Sequence, residues 1–178
     1  MRVLEEAPRS PEGEAGDGII EDILAQLRSH DWMRREHARW QLVTLREAAV
    51  FPLIDALEDP DWHVRWEAAK ALHDIADPRA AAALVKALRD RRFGVRWLAS
   101  DALIALRENS LPPLLSALVH HGDSILLRNG AHHVLRDLSR LSYEEVGRTL
   151  GITPATARVY RRHAVVKLAE SLGGRDGL

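Results

Sequence analysis

The chain has 178 residues, of which 25 are Lys or Arg and 26 are Asp or Glu, so its formal net charge is −1. The hydrophobic fraction of 46% is sufficient for a packed fold. The absence of cysteine excludes disulfide frameworks, cysteine-ligated zinc and thiol catalysis. No apolar run approaches the ~20 residues of a transmembrane helix, and the N-terminus lacks a secretory signal pattern. We therefore expect a cytoplasmic protein that does not contact a membrane.

The first 18 residues are rich in proline, glycine and glutamate and show no apolar period. Segments of this composition cannot bury enough apolar surface to become ordered. We therefore expect a flexible acidic tail over residues 1–18, and a second flexible tail over residues 171–178.

A sequence motif then recurs every 30 to 32 residues. The segment DWHVRW at residues 61–66 matches RFGVRW at residues 92–97, and weaker copies start at residues 31 and 124. The apolar positions that follow recur in the same register. They are Ala38, Ala68, Ala99 and Ala131, and then Leu42, Leu72, Leu103 and Leu135. A fixed period of this length is typical of repeat architectures.

Each repeat contains two apolar stripes with helical spacing. Val64, Ala68 and Leu72 share one face of a helix, and residues 53–57 mark a shorter helix before it. One such hairpin cannot bury its apolar face alone, whereas stacked hairpins share a continuous core. The sequence therefore predicts an all-α fold, a short α-solenoid of about four helical hairpins over residues 19–138.

The segment DPDWHVRWEAAKAL at residues 59–72 resembles the HEAT family, and in particular the short HEAT-like repeats of phycobilisome lyase subunits. This resemblance implies a scaffold that binds proteins rather than one that catalyses a reaction. It also implies a ladder of Arg–Asp pairs between repeats. The arginine register holds Arg35, Arg65, Arg96 and Arg128, and the expected acid partners are Asp31, Asp61, and Asp90 or Asp123.

The aromatic residues of the repeats are candidates for binding. Trp66 and Trp97 follow the register arginines directly and lie off the core stripe. With Lys70 and Asp101 one turn later, we expect them to line the concave face and to bind a partner protein. Packing of these two rings between repeats remains an equal alternative. Packing is the preferred interpretation of three aromatic residues at the starts of second helices, Trp32, Trp62 and Phe93.

No catalytic residue, cofactor or metal site is predicted, and we do not expect an enzyme. The pairs His120-His121 and His132-His133 chelate poorly, because adjacent helical residues point about 100° apart. A remote alternative comes from alkylation-repair DNA glycosylases, some of which are HEAT-like solenoids with a concave tryptophan near a carboxylate. Trp97 and Asp101 would be this pair, although the nearly neutral solenoid does not favour a grip on duplex DNA.

Residues 141–170 follow a different pattern, in which two helices flank a short turn. Ser142 caps a short helix that ends at Gly151, and Thr153 with Pro154 begins a longer one. Residues 154–168 contain four cations and no acid. The spacing predicts a helix-turn-helix whose second helix enters the major groove of duplex DNA. The expected DNA contacts are Thr153, Ala155, Thr156, Arg158, Arg161 and Arg162.

The segment LSYEEVGRTLGITPATAR at residues 141–158 resembles region four of bacterial sigma factors and the outputs of response regulators. The resemblance implies promoter-type DNA recognition, with Arg158 in the position where the family has Lys or Arg. Arg161 replaces a core leucine of the family, and Val165 and Val166 replace a basic pair. A helix pair that binds protein or caps the solenoid therefore remains an alternative.

Two hypotheses follow for the whole chain. The first is a non-enzymatic bacterial transcription regulator that reads duplex DNA with its helix-turn-helix, as a monomer or a homodimer. Its solenoid would hold a protein partner such as RNA polymerase or another regulator. The second hypothesis is a protein-interaction scaffold without DNA binding.

Overall fold

The structure is a computed structural model that describes residues 11–138, with side chains from residue 18 onward. The predicted helix-turn-helix at residues 141–170 and the predicted tail at residues 171–178 lie outside the described residues. The described part contains eight α-helices. These are α1 (Pro11–Gln26), α2 (Trp32–Leu45), α3 (Glu47–Ala56), α4 (Trp62–Ile75), α5 (Ala81–Ala87), α6 (Phe93–Ala105), α7 (Leu111–His121) and α8 (Ile125–Leu138). Short 3-10 turns at Pro78–Ala80 and Arg107–Ser110 precede α5 and α7.

The eight helices form four consecutive hairpins, which confirms the predicted α-solenoid. The second helices α2, α4, α6 and α8 contact one another in series and form one layer. The first helices of neighbouring hairpins also contact each other, as α1 with α3 and α5 with α7. Between residues 11 and 138, no helix is long and apolar enough to cross a membrane.

The core follows the predicted register. Ala38, Ala68, Ala99 and Ala131 are completely buried in the core of the hairpin stack. An alanine at this position lets two helix backbones approach closely, and the next turn of the same stripe then fills the core with leucine. Leu42, Leu72 and Leu103 are fully buried, and Leu135 packs partly buried against the same cluster. The core is thus one continuous apolar column that runs through all four hairpins.

The first helix begins within the segment that the sequence predicts to be a flexible tail. Helix α1 starts at Pro11, eight residues before the expected boundary of the solenoid at residue 19. A proline suits the first helical position because its backbone angle is already helical and it has no N–H to leave unpaired. The apolar stripe of α1 starts only at Ile20. The helix start that is predicted from the periodicity of apolar residues therefore lies too late in the chain.

The register arginines do not form the expected ladder with Asp31 and Asp61. Each arginine instead donates from a terminal nitrogen to a main-chain carbonyl six residues earlier. The four distances are 2.8 Å for Arg35 to Ser29 O, 2.7 Å for Arg65 to Asp59 O, 2.8 Å for Arg96 to Asp90 O and 2.7 Å for Arg128 to Gly122 O. These bonds satisfy carbonyls in the turn inside each hairpin, which would otherwise lack a partner.

The two aspartates act instead as helix N-caps. Asp31 accepts a hydrogen bond from Met33 N at 2.9 Å, and Asp61 accepts one from His63 N at 2.9 Å. A carboxylate at this position satisfies a free N–H at the helix start. Two register arginines do approach a carboxylate of the next hairpin: Arg35 Nε lies 3.7 Å from Glu67, and Arg65 pairs with Asp90, one of the expected partners. The Nε and second terminal nitrogen of Arg65 lie 2.6 Å and 3.2 Å from the Asp90 carboxylate.

Candidate protein-binding face

The outward side of the second-helix layer carries two parallel rows of side chains, set by the repeat register. The first row holds Glu36, Trp66, Trp97 and Asn129, and the second, one helical turn later, holds Trp40, Lys70, Asp101 and His133. Because each row repeats one position of the hairpin, its members follow one another along the layer. We call six of these residues the aromatic face: Trp40, Trp66, Lys70, Trp97, Asp101 and His133.

Trp66 packs against the next hairpin and is also partly exposed to solvent. Its indole Cδ1 and Nε1 lie 3.3 Å from the point where a Cβ on Gly94 of α6 would stand. The absence of a side chain at Gly94 therefore lets the ring rest on the next hairpin, and Trp66 is half-buried. Lys70, one turn along α4, holds its ammonium 5.2 Å from the ring centroid. This distance is typical of a cation–π contact.

Trp97 is more open than Trp66, with 48% of its surface exposed. The register position of Gly94 is occupied by Leu126 in the fourth hairpin. Trp97 stacks instead on His133 of α8, with ring centroids 5.3 Å apart and planes 27° from parallel. One turn earlier, the Phe93 ring lies 6.3 Å away. The exposed indole is thus supported from two sides while its remaining face is open.

Trp40 belongs to the same surface, although it is not among the binding residues predicted from the sequence. It is 51% exposed, and the Arg39 guanidinium lies 4.5 Å from its ring centroid. The repeat register could have identified Trp40 as a binding residue, because Trp40 occupies the position of Lys70 and Asp101. Its motif copy at residues 31–36 is weak, however, and the sequence alone drew attention to the stronger copies.

A buried ionic cluster lies under Trp40, between α2 and α4. Arg39 is only 2% exposed, and it donates to the Asp74 carboxylate at 2.9 Å. Its Nε also lies 3.3 Å from Glu67, which is 4% exposed, and Arg35 approaches the same carboxylate at 3.7 Å. Burial raises the pKa of Glu67, more than the neighbouring guanidinium groups lower it. The cluster holds Arg39 in place and thereby fixes the cation beneath the Trp40 ring.

The structure therefore brings all four predicted partner-binding residues to one layer. Lys70 and Asp101 are half-buried beside the rings that precede them by one turn. The preferred packing interpretation of Trp32 and Phe93 is wrong, since these residues are 62% and 68% exposed. Both stand in the first turn of a second helix, at an edge where the next hairpin does not reach over them. Trp62 is half-buried, in accord with packing.

The remaining predictions concern the DNA contacts and the histidine pairs. The six expected DNA-contacting residues, from Thr153 to Arg162, lie outside the described residues. His120, His121 and His132 are exposed, and His133 is half-buried against Trp97. Among the residues with described side chains, no three His, Asp or Glu residues are grouped closely enough to hold a metal ion.

Comparison with known proteins identifies the repeat. Residues 20–104 and residues 52–136 match the family of HEAT repeats, so the matches together span more than half of the chain. One similar solved structure is that of the complex of CpcE and CpcF of phycocyanin lyase from Nostoc sp. PCC7120, with 25% sequence identity and a TM-score of 0.47. The similarity covers 77% of this chain and 56% of that chain. No curated protein sequence gives a significant match.

Proposed function

Because this chain belongs to the HEAT-repeat family, we propose that it is a protein-interaction scaffold whose partner binds the aromatic face. The observation that supports this function is the pair of half-exposed tryptophans, Trp40 and Trp97, on the same layer. Each ring is held from one side, by Arg39 and by His133, and is open on the other.

This arrangement has the properties of a binding hot spot. A large aromatic side chain that is exposed on a folded surface gains much from burial against a partner. The contacts with Arg39 and His133 restrict each ring before binding, so that little side-chain entropy remains to be lost. The two rings also stand in different hairpins, α2 and α6, and a partner that covers both must span Trp66 and Lys70 between them.

The test is a pair of single substitutions, Trp40→Ala and Trp97→Ala, against a partner captured by the wild-type chain and then purified. Each substitution should weaken the measured Kd by about 30-fold, because a hot-spot residue contributes about 2 kcal/mol. The matched control is Phe51→Ala on α3. Phe51 is 59% exposed and also lies under an arginine, Arg79, but it belongs to the layer of first helices.

The control should bind as the wild type does. If Phe51→Ala weakens binding as much as the tryptophan substitutions, or if neither tryptophan matters, the partner does not use the aromatic face. Circular dichroism of each variant should show an unfolding midpoint close to that of the wild type, since about half of each residue is exposed. This comparison separates a loss of contact from a loss of fold.

A second candidate function, recognition of duplex DNA, rests on residues 141–170. The observation that favours it is the sequence of residues 154–168, where Arg158, Arg161, Arg162 and Lys167 occur without an acid. The family match ends at residue 136 and does not include this segment. A chain with both activities would be a regulator that connects a bound protein to a DNA site.

This second function is tested by fluorescence anisotropy with a labelled duplex over a salt series. Double substitution of Arg158 and Arg162 with alanine should weaken binding and reduce the salt slope by about two, because each phosphate contact adds about one to it. Replacing Arg34 and Lys86, two exposed cations of the solenoid, provides the control. No binding by the wild-type chain at about 50 mM salt would contradict DNA recognition.

A further inference from the structure

One turn of the solenoid differs in charge from its equivalents. The residue before α2 is Asp31 and the residue before α4 is Asp61, but the residue before α6 is Arg92. Four arginines fall within eight residues around this turn, and the one acid among them is Asp90. The four are Arg89, Arg91, Arg92 and Arg96. We call this set the arginine cluster.

The acid within the cluster is neutralised by the fold. The Asp90 carboxylate accepts two hydrogen bonds from Arg65 of α4, at 2.6 Å and 3.2 Å, and a third from Arg92 N at 2.7 Å. Arg65 itself is only 5% exposed. Asp90 therefore has little capacity to screen the cluster, and Arg89, Arg91 and Arg92 present their charge to solvent.

The cluster borders an open groove of about 540 Å³ between the second and third hairpins. Pro60, Asp61, Trp62, Arg91 and Arg92 line this groove. Arg91 donates to Pro60 O at 3.1 Å, and the Arg92 guanidinium lies 5.3 Å from the Trp62 ring centroid. The groove's acid, Asp61, is engaged with the main chain and the ring of His63. Arg92 thus lies over an aromatic ring in this groove, and Arg91 lies beside it.

The arginine cluster is continuous with the aromatic face. Phe93 follows Arg92 directly, is 68% exposed and lies 6.3 Å from Trp97. The Arg96 guanidinium lies 5.6 Å from the Phe93 ring. A chain segment that rests on Trp97 and runs toward the start of α6 therefore crosses Phe93 and arrives among arginines.

We propose that the partner segment is acidic, with apolar side chains on Trp97 and Phe93 and carboxylates at Arg91 and Arg92. This proposal rests on the proposed scaffold function and specifies the chemistry of its partner. Charge complementarity across such a surface guides association and selects among partners. A carboxylate of the partner would find two guanidinium groups here that form no ion pair among residues 18–138, and planar guanidinium groups bind carboxylates well.

A protein segment fits this surface better than a nucleic acid. The equivalent turn of the second hairpin carries Glu58, Asp59 and Asp61, and that of the first carries Asp31. The earlier turns carry charges of both signs, with Asp59 paired to Arg28 and Glu58 to Lys86, so a long polyanion that followed this edge would meet its largest excess of cations only at the third hairpin. A short acidic segment needs only the arginine cluster and the rings beside it.

The experiment is selection of binding peptides from an unbiased random library displayed on phage, with the full chain as bait. The selected peptides should be enriched in Asp and Glu next to Phe, Trp or Leu. Synthetic copies labelled with fluorescein should lose at least tenfold in affinity when Arg91 and Arg92 are both replaced by Glu. They should also weaken as salt is raised from about 50 mM to about 500 mM.

The matched control is Arg34→Glu, which reverses an exposed charge in the first hairpin and should leave the affinity unchanged. If the peptides require Trp97 but show no excess of Asp and Glu, the partner segment is not acidic. The same conclusion follows if their affinity is unchanged in the variant with both Arg91→Glu and Arg92→Glu. Either result leaves the proposed scaffold function standing. Peptides that ignore Trp40 and Trp97 would overturn the scaffold itself. Stronger binding of a labelled single-stranded oligonucleotide, lost in the same arginine variant, would show that the cluster serves a nucleic acid.

Discussion

At the scale of single residues, the register arginines show how one position can carry two structural roles. All four fasten the turn of their own hairpin through a carbonyl six residues earlier. Two of them also approach a carboxylate of the next hairpin: Arg35 lies 3.7 Å from Glu67, and Arg65 donates two hydrogen bonds to Asp90. The Arg65 guanidinium is 5% exposed and the Asp90 side chain is 9% exposed, so that little water can replace the lost partner if either is removed.

We predict that Arg65→Ala lowers the free energy of unfolding by about 3 kcal/mol, because it removes the cation that pairs with the nearly buried Asp90 carboxylate and the donor to Asp59 O. Urea denaturation followed by circular dichroism measures this change. Arg34→Ala serves as the control. Its guanidinium is 75% exposed and 4.0 Å from Asp31, and an exposed pair of this kind adds almost nothing to stability. Equal midpoints for the two variants would show that Arg65 carries no special role.

At the scale of helices, the repeat register predicted where each hairpin lies but not how its helices end. Each second helix of the first three hairpins is followed by a residue with positive φ, and these residues share one register. They are Arg46 at 47°, Ala76 at 54° and Arg107 at 55°. None is glycine, the residue that favours this conformation, and the sequence therefore gave no signal for these turns.

The Ala76 turn can be tested by a change that normally weakens a helix. Ala76 N donates to Leu72 O at 2.9 Å, which closes α4 with a left-handed residue. We predict that Ala76→Gly raises the free energy of unfolding by about 0.5 to 1 kcal/mol, because glycine adopts this conformation without the steric cost of a Cβ.

The same substitution at Ala48, an exposed position inside α3, should have the opposite sign. There glycine lowers helix stability by up to about 1 kcal/mol, since it loses more backbone freedom on folding. Thermal unfolding of both variants gives the comparison. A lower midpoint for Ala76→Gly would mean that the turn does not strain the alanine.

At the scale of the whole molecule, the interfaces between neighbouring hairpins, which we call joints, are not equivalent. In the second joint the register positions of Arg39, Glu67 and Asp74 are occupied by small or apolar residues, Ala69, Leu98 and Ala105. The first joint instead contains the ionic cluster of Arg39, Glu67 and Asp74. The sequence could not predict this difference, because Arg39 occupies the register position of Ala69 and Ser100, where the repeat favours a small residue.

The ionic joint should make the first hairpin sensitive to pH. Burial raises the pKa of Glu67 above its ordinary value of 4.5, so the folded chain holds this proton more tightly than the unfolded chain does. Stability from the protonated carboxyl is therefore fully present below pH 4.5 and is lost as the pH rises through the raised pKa. The carboxyls of Asp61 and Asp77 behave oppositely, since hydrogen bonds lower their pKa values, and their contribution is lost only as the pH falls below about 3.8.

In a solenoid each hairpin contacts only its neighbours, and a weak joint can open without the rest. We predict that native-state hydrogen exchange shows a smaller opening free energy for amides of α2 than for those of α4 and α6. This difference should grow as the pH rises from 4.5 toward neutrality, and Glu67→Gln should remove the growth because glutamine does not ionise. Helix α8 belongs to the last described hairpin and lacks this cluster, so its opening should not follow the same pH dependence. If α2 and α8 respond alike, or if Glu67→Gln leaves the trend in α2 unchanged, the ionic cluster does not set the strength of the first joint.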